Sequence, residues 1–195
     1  MNEATKRKGR LLLRPILRLL AKARVSPTAV TLAALPLSLG AAYWFATGRF
    51  VVGGALAALV GLCDTLDGEL SRMTGRASDT GAFVDSNVDR ISEALVLAGI
   101  YWYYQRLNPL YALFAIAAMA FSLLVSYVRA RAEGIGRECK VGLFERPVRV
   151  VALLVGAFVL GRTYMPWAMA VIALGSLATV VQRFVHVVRQ REPAP

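Results

Sequence analysis

The sequence predicts an all-α integral membrane protein in which six transmembrane helices follow an amphipathic interfacial helix. Its 195 residues are 57% hydrophobic, and the mean hydropathy of +0.54 is too high for a soluble globular domain. The apolar residues come in blocks that are long enough to span a bilayer. Basic residues concentrate between alternate blocks, which is typical of a multi-pass protein with one strongly positive side.

Residues 1–27 form a basic lead-in segment that we expect to lie in the membrane interface. Leucine and isoleucine recur there at helical spacing, with basic residues between them, as in helices that lie flat on a bilayer. The apolar set is Leu11, Leu12, Ile16, Leu19 and Leu20, and the basic set is Arg10, Arg14, Arg18 and Lys22. Ser26 and Pro27 then predict the N-cap and first turn of the next helix.

Six apolar spans follow the lead-in, each near the ~20 residues that cross a bilayer. We place them at 28–47, 50–73, 82–105, 109–131, 143–161 and 165–187. The breaks between them fall at Gly48, Asn108-Pro109, the loop 134–142 and Pro166. The sequence therefore predicts a six-helix domain at 28–187 and a polar tail at 188–195.

The basic residues also predict the orientation. With six spans and both termini inside, 20 of the 23 Lys and Arg residues fall on the inner side, and only Arg49, Arg106 and Arg162 lie in outer turns. This bias predicts cytoplasmic termini in the cell (inner) membrane. The net charge of +11 fits anionic lipid head groups as partners. A nucleic-acid partner is not expected, since the sequence offers no basic soluble domain.

Four aspartates interrupt the apolar pattern near the cytoplasmic ends of the second and third spans. Asp64 and Asp67 are three residues apart and share one face of a helix. Asp85 and Asp89 are four apart and share a face as well. Carboxylates at membrane depth are costly unless they are paired or bind a metal, which favours a functional site. The two faces together could form an oxygen cage for Mg²⁺ or Mn²⁺.

The spacing of these residues resembles the signature of the CDP-alcohol phosphotransferases, which are integral membrane enzymes of phospholipid synthesis. The pattern reads D-x2-D-G-x2-S-R-x8-G-x3-D-x3-D, with its fixed positions at Asp64, Asp67, Gly68, Ser71, Arg72, Gly81, Asp85 and Asp89. Seven of the eight positions match. Ser71 departs, because the family pattern usually carries alanine there, another small residue.

The resemblance implies transfer of a phosphatidyl group from CDP-diacylglycerol to an acceptor hydroxyl, with release of CMP. It implies that Asp64, Asp67 and Asp85 are the main ligands of Mg²⁺ or Mn²⁺. Asp89 would complete a two-metal cage and act as the general base. The donor nucleotide would be held by Gly68 and Arg72, with help from Thr65, Ser71, Arg76 and Asp79.

A second, arginine-rich segment runs from Ser126 to Arg149 and reads SYVRARAEGIGRECKVGLFERPVR. Positive-inside topology accounts for part of this charge, and an anionic acceptor would also use it. The segment resembles the RAEG…ER pattern of bacterial phosphatidylinositol-phosphate synthases, as does VSPTAVT at 25–31. Inositol 1-phosphate is then the expected acceptor, with glycerol 3-phosphate as its rival. The expected acceptor-binding residues are Ser126, Arg129, Arg131, Lys140, Arg146 and Arg149.

Two further expectations complete the set. Members of the family are usually homodimers, so the resemblance implies a homodimer here. The alternative of another class is a cation channel or transporter with intramembrane carboxylates. The acids are confined to the cytoplasmic ends of the spans and offer no continuous path across the bilayer, which disfavours that alternative. Divalent-dependent release of CMP would separate the two classes.

Overall fold

The structure, a computed structural model, describes residues 3–190, with side chains from residue 13 onward. Every regular element in that range is helical, so the predicted all-α class is confirmed. The helices are α1 (Glu3–Lys22), α2 (Pro27–Ala46), α3 (Phe50–Thr74), α4 (Asp79–Tyr104), α5 (Pro109–Glu133), α6 (Arg146–Val155) and α7 (Gly161–Arg189), with a π-helical segment at Gly156–Leu160. The side chains of Arg10, Leu11 and Leu12, and residues 191–195 of the predicted tail, lie outside what the structure describes.

Four helical stretches are long and apolar enough to cross a membrane. They are α2, α3, α5 and the continuous stretch Arg146–Arg189. The last stretch reverses direction at Gly161, where φ is 61°. As a result, α6 and α7 pack against each other. α4 is as long as its neighbours but carries Asp85 and Asp89 in its first half and Glu93 just past its middle. The chain is therefore a multi-pass helical membrane protein.

Short polar caps start α2 and α5 where the sequence predicted helix starts. The break predicted at Pro166 is wrong, because Pro166 lies inside α7 and the chain turns at Gly161 instead. The Ser26 hydroxyl accepts a hydrogen bond from the amide of Ala29 at 3.1 Å, and Pro27 forms the first turn of α2. The Asn108 side chain accepts from the amide of Leu110 at 2.9 Å in the same way at the start of α5. Ser78 caps α4 a few residues before the second pair of aspartates.

Helix α2 lies against both α3 and α4 and so brings the two acidic helices to one region of the molecule. The approach of α4 to α2 is very close at Gly99. A Cβ atom on this residue would lie only 2.3 Å from the carbonyl oxygen of Ala42. α5 packs against α4 and α7, which closes the bundle around a core that includes Phe45, Ile100 and Met169.

Helix α1 packs on the end of α3 that carries the first two aspartates. Leu17 is buried there in a small cluster with Val30, Leu66 and Leu70. On the opposite side of α1, the side chains of Ile16 and Leu19 remain exposed. An apolar surface next to basic residues agrees with the predicted interfacial helix, whose placement in a membrane remains a prediction.

Candidate active site

Three of the four aspartates converge between α3 and α4. Asp64, Asp67 and Asp85 each offer one carboxylate oxygen, and these atoms all lie within 4.8 Å of one another. The three-residue spacing on α3 places the first two on one face, and α2 holds α4 close enough for the third to reach them. This arrangement concentrates negative charge in a space the size of one cation site.

Asp67 is held in place by the neighbouring helix α2. Its side chain is buried, and its Oδ2 accepts a hydrogen bond of 2.6 Å from the hydroxyl of Thr31. A buried carboxylate is costly without partners, so this short bond offsets part of the cost and fixes the orientation of the group. Thr31 therefore stabilises the acidic cluster from the neighbouring helix α2.

Asp85 shows that the cluster fits a metal ion. Its Oδ1 is buried and has no hydrogen-bond partner among the residues that the structure describes. An orphaned carboxylate oxygen beside Asp64 and Asp67 needs a cation to compensate its charge. Three carboxylates with no nitrogen or sulfur donor form the ligand set that hard divalent ions such as Mg²⁺ and Mn²⁺ prefer.

Asp89 stands one turn further along α4 and interacts with an arginine. Nη1 of Arg146, the first residue of α6, lies 2.7 Å from Oδ2 of Asp89 and 2.7 Å from Oδ2 of Asp64. Arg146 thus bridges the fourth aspartate to the three-carboxylate cluster. Asp89 and Arg146 are 57 positions apart in sequence, which explains why local spacing gave no sign of this contact.

A polar pocket, the donor-side pocket, opens on one side of the cluster. It has a volume of about 660 Å³ and is lined by Asp67, Asp85, Gly68, Ser71, Arg72 and Arg76, together with Pro27, Thr28, Thr31 and residues 77–82 except Asp79 and Thr80. At Gly68 the wall has room, because the nearest atom to an added Cβ would be Nη2 of Arg72 at 3.5 Å. Arg72 is mostly exposed and pairs with Glu69 at 2.9 Å. Neither Thr65 nor Asp79 lines this pocket.

A second polar pocket, the acceptor-side pocket, lies beside Arg146. It has a volume of about 640 Å³, and its wall includes Asp89, Ser126, Arg129, Arg146, Arg149, Glu93 and Arg183. Five of the expected site residues therefore meet here. Arg131 and Lys140 do not line the pocket, and Lys140 is exposed and pairs with Glu138 at 3.0 Å.

Three residues that the sequence reasoning did not single out belong to this site. Thr31 lies within the segment VSPTAVT, whose resemblance was noted without a role for the threonine. Glu93 follows Asp89 by one turn and forms an ion pair with Arg149. The buried side chain of Arg183 donates to the carbonyl oxygens of Val125 at 2.7 Å and Val141 at 2.8 Å. In sequence, Glu93 and Arg183 look like ordinary charged residues, because no local pattern links either of them to the site.

The arrangement brings two separate polar pockets to one acidic, metal-fitting cluster, with Asp67 and Asp85 on the wall of one and Asp89 on the wall of the other. Arg72 and Arg76 supply positive charge on one side, and Arg129 and Arg146 supply it on the other. Each pocket is thus suited to an anionic group, because arginine binds phosphate oxygens well. A reaction between two phosphorylated molecules at the carboxylates between them is the chemistry that this geometry allows.

Comparisons with known proteins agree with that geometry. A family model described as CDP-alcohol phosphatidyltransferase matches residues 24–181. The chain is 36% identical over 162 residues to the archaetidylinositol phosphate synthase of Methanothermobacter thermautotrophicus, which covers 81% of this chain and 80% of that protein.

Two solved structures have the same fold. Both are of the phosphatidylinositol phosphate synthase of Mycobacterium tuberculosis and share 30% sequence identity with this chain. The structure with CDP-DAG bound has a TM-score of 0.81 and covers 92% of this chain and 98% of that one. The complex with manganese and citrate has a TM-score of 0.83 and covers 93% of each chain.

Proposed function

Because this chain belongs to the CDP-alcohol phosphatidyltransferase family, we propose that it transfers a phosphatidyl group from CDP-diacylglycerol to inositol 1-phosphate and releases CMP. The protein is an enzyme of that class, with a CDP-linked lipid as donor and an alcohol as acceptor. The identity of the acceptor is the finer part of the proposal. Membership of this enzyme family also argues against the alternative of a cation channel or transporter.

One observation carries the proposal. The acidic cluster stands between two separate polar pockets, with Asp67 and Asp85 on the wall of one and Asp89 on the wall of the other. A transfer between two bound substrates requires this arrangement, since each substrate needs its own site and the reacting atoms must meet. Arg146 marks the boundary, because it contacts both Asp64 and Asp89.

The donor nucleotide is assigned to the donor-side pocket. Gly68 leaves room for the nucleotide to approach α3, and Arg72, Arg76 and Ser71 offer donors to its phosphates. Thr65 and Asp79 lie outside the lining and would act only through neighbouring residues. Asp64, Asp67 and Asp85 would hold Mg²⁺ or Mn²⁺, with Asp89 completing a site for a second ion. A metal held there would neutralise the charge of the pyrophosphate and stabilise the departing CMP.

The acceptor is assigned to the acceptor-side pocket. Arg146 and Arg129 would bind the acceptor phosphate, and Ser126 would donate to a hydroxyl. The two relatives named above are synthases of inositol phosphate lipids, which favours inositol 1-phosphate over glycerol 3-phosphate as the acceptor. Arg131 and Lys140 would add positive potential from outside the lining.

The proposed reaction is a direct displacement. The acceptor hydroxyl oxygen attacks the β-phosphorus of the CDP-lipid and forms a new phosphorus–oxygen bond. The bond from that phosphorus to the oxygen shared with CMP breaks, and CMP leaves with the electron pair. Asp89 takes the proton of the hydroxyl, since it is the member of the four aspartates that lines the acceptor-side pocket.

The finer topology belongs to the same proposal. Six membrane crossings would arise from α2, α3, α4, α5, α6 with its π-helical extension, and α7. The positive-inside bias supports cytoplasmic termini and a cytoplasmic active site. We place the enzyme in the cell membrane as a homodimer, with segments 1–27, 28–187 and 188–195 as lead-in, catalytic domain and tail.

The experiment is an assay of CMP release by purified protein with CDP-diacylglycerol and Mg²⁺. Inositol 1-phosphate, glycerol 3-phosphate, inositol and serine are compared as acceptors. The proposal predicts release with inositol 1-phosphate and little with the others. Release with glycerol 3-phosphate alone would overturn the acceptor while keeping the enzyme class. Chelation of the metal with EDTA should stop the reaction in every case.

A further inference from the structure

The end of the bundle opposite the aspartates, called the far end below, carries all three tryptophans of the chain and three exposed arginines. Asp85 lies near the start of α4 and Tyr104 at its end, about 28 Å further along at 1.5 Å per residue. This distance is close to the ~30 Å hydrocarbon thickness of a bilayer. The far end therefore lies one membrane thickness from the acidic cluster. Its tryptophans are Trp44, Trp102 and Trp167, and its arginines are Arg49, Arg106 and Arg162.

Aromatic residues at the end of α4 join the turns of the far end into one surface. At Gly48 an added Cβ would lie 2.7 Å from the ring of Tyr103, so the turn between α2 and α3 packs directly on α4. The hydroxyl of Tyr104 donates a hydrogen bond to the carbonyl oxygen of Arg162, which ties the start of α7 to the same helix. Arg106 lies in the turn that follows Tyr104. The three arginines thus belong to neighbouring turns around one aromatic cluster.

Two of these arginines lie over tryptophan rings. Cζ of Arg49 is 4.9 Å from the ring centroid of Trp44, and Cζ of Arg106 is 5.5 Å from that of Trp102. A guanidinium group in this position uses one face for the ring, and the N–H donors at its edge remain available to oxygen acceptors. Tryptophan and arginine combine an apolar body with a polar tip, and such side chains are typical of the level at which lipid head groups begin.

The far end carries no acidic residue to balance its positive charge. The sequence has no Asp or Glu in the stretches 27–63, 94–132 and 146–191, which supply these turns and the adjoining halves of the helices. The nearest acid along α4 is Glu93, about 16 Å from Tyr104 along the helix axis. A zwitterionic head group brings a positive charge of its own and leaves this surface uncompensated, whereas an anionic head group neutralises it.

We propose that the far end binds the head-group phosphates of anionic phospholipids, with Arg49, Arg106 and Arg162 as the binding residues. Guanidinium groups bind phosphate oxygens through charge-assisted hydrogen bonds, and the bilayer supplies such oxygens at the level of the tryptophans. The inference goes beyond the proposed reaction and does not depend on it, because it requires only that the chain spans a bilayer. Anionic lipids would then collect around the end of the protein that has no part in the proposed chemistry.

Intrinsic tryptophan fluorescence tests the proposal, because all three tryptophans lie at the far end. The purified protein is reconstituted in vesicles of phosphatidylcholine and phosphatidylglycerol in equal amounts, and the acyl chains of one lipid or the other carry bromine near the head group. Bromine quenches tryptophan only at short range, so the ratio of the two quenching constants shows which lipid lies beside the far end. We expect phosphatidylglycerol to quench about threefold more strongly than phosphatidylcholine.

The decisive variant combines Arg49→Gln, Arg106→Gln and Arg162→Gln. It should lower the quenching ratio to about one, since glutamine keeps a polar tip but has no positive charge. The matched control combines Arg14→Gln, Arg18→Gln and Lys22→Gln, which removes three exposed charges from α1 at the opposite end. This control should keep the wild-type ratio. Salt at about 1 M should lower the ratio of the wild-type protein, because it screens exposed charges.

Three results would overturn the proposal. Equal quenching by the two lipids in the wild-type protein would show that the far end has no preference for anionic head groups. A ratio that falls as far in the α1 control as in the far-end variant would show that the preference follows total charge. Absence of quenching by either lipid would place the far end outside the bilayer. If the triple variant does not fold, Arg106→Gln alone and the salt dependence of the wild-type ratio decide in the same way.

Discussion

Nη1 of Arg146 lies 2.7 Å from Oδ2 of Asp89 at the wall of the acceptor-side pocket. The contact joins the residue proposed to bind the acceptor phosphate to the residue proposed to take the acceptor proton. An acceptor whose phosphate is bound at Arg146 therefore brings its hydroxyl groups near Asp89.

Replacing Asp89 with asparagine should remove turnover and keep donor binding. Asparagine has nearly the same shape but cannot accept the proton, so CMP release should fall by about 10²–10⁴-fold. Binding of CDP-diacylglycerol should change little, because Asp89 does not line the donor-side pocket. The rate and the binding are measured on the same preparation, and CMP release near the wild-type rate would remove Asp89 as the base.

Replacing Arg146 with alanine should weaken the acceptor far more than the donor. Loss of a hydrogen bond between charged groups costs about 1.5–3 kcal/mol, which corresponds to a rise in acceptor KM of roughly 10- to 100-fold. Lys140→Ala serves as the comparison, since Lys140 is exposed and lies outside the pocket lining. It should raise the acceptor KM by about twofold at most, as an exposed charge acting at a distance. Equal effects of the two substitutions would contradict the pocket.

Replacing Thr31 with valine tests the support of the metal cluster. Valine keeps the shape of threonine but removes the 2.6 Å hydrogen bond to the buried Asp67. The free energy of unfolding should fall by about 1–3 kcal/mol, because a buried carboxylate loses a partner. Binding of Mn²⁺, measured by calorimetry, should weaken as well. Thr31→Ser keeps the hydroxyl and should restore both quantities, and a serine variant as weak as valine would point to packing instead.

Glycines 68 and 99 should respond to alanine in opposite ways. At Gly68 the nearest atom to a new Cβ is 3.5 Å away, so Gly68→Ala should fold normally and raise the donor KM by crowding the donor-side pocket. At Gly99 a new Cβ would lie 2.3 Å from the backbone of Ala42, so Gly99→Ala should not yield a stable protein. Thermal denaturation and donor KM distinguish the two. An unchanged donor KM in Gly68→Ala would remove Gly68 from the nucleotide site.

Local signals in the sequence predicted most of the helix starts and the acidic faces, whereas the break expected at Pro166 lies at Gly161. Ser26 and Asn108 begin helices because their side chains cap free amides, which depends on only three or four neighbouring residues. The spacing of Asp64 and Asp67 places them on one face of α3 for an equally local reason. The resemblance supplied what spacing alone could not, namely that α4 would bring Asp85 to the same place.

The partners of the arginines could not be predicted, because they depend on packing between helices that are distant in sequence. Arg146 forms an ion pair with Asp89, whereas Arg149, one turn further along α6, forms an ion pair with Glu93. Arg131 and Lys140 carry the same charge in the same segment yet remain at the surface outside the pocket. A count of positive charges cannot separate these roles, since positive-inside topology and substrate binding require the same residue types.

Initial-velocity kinetics with both substrates varied are the most direct test of the central claim, which is that donor and acceptor are bound together in two pockets that meet at the aspartates. Direct displacement predicts double-reciprocal plots of CMP release that intersect, because CMP leaves only when the acceptor attacks. Parallel lines, with CMP released before any acceptor is added, would contradict the claim. They would instead indicate a covalent phosphatidyl-enzyme intermediate.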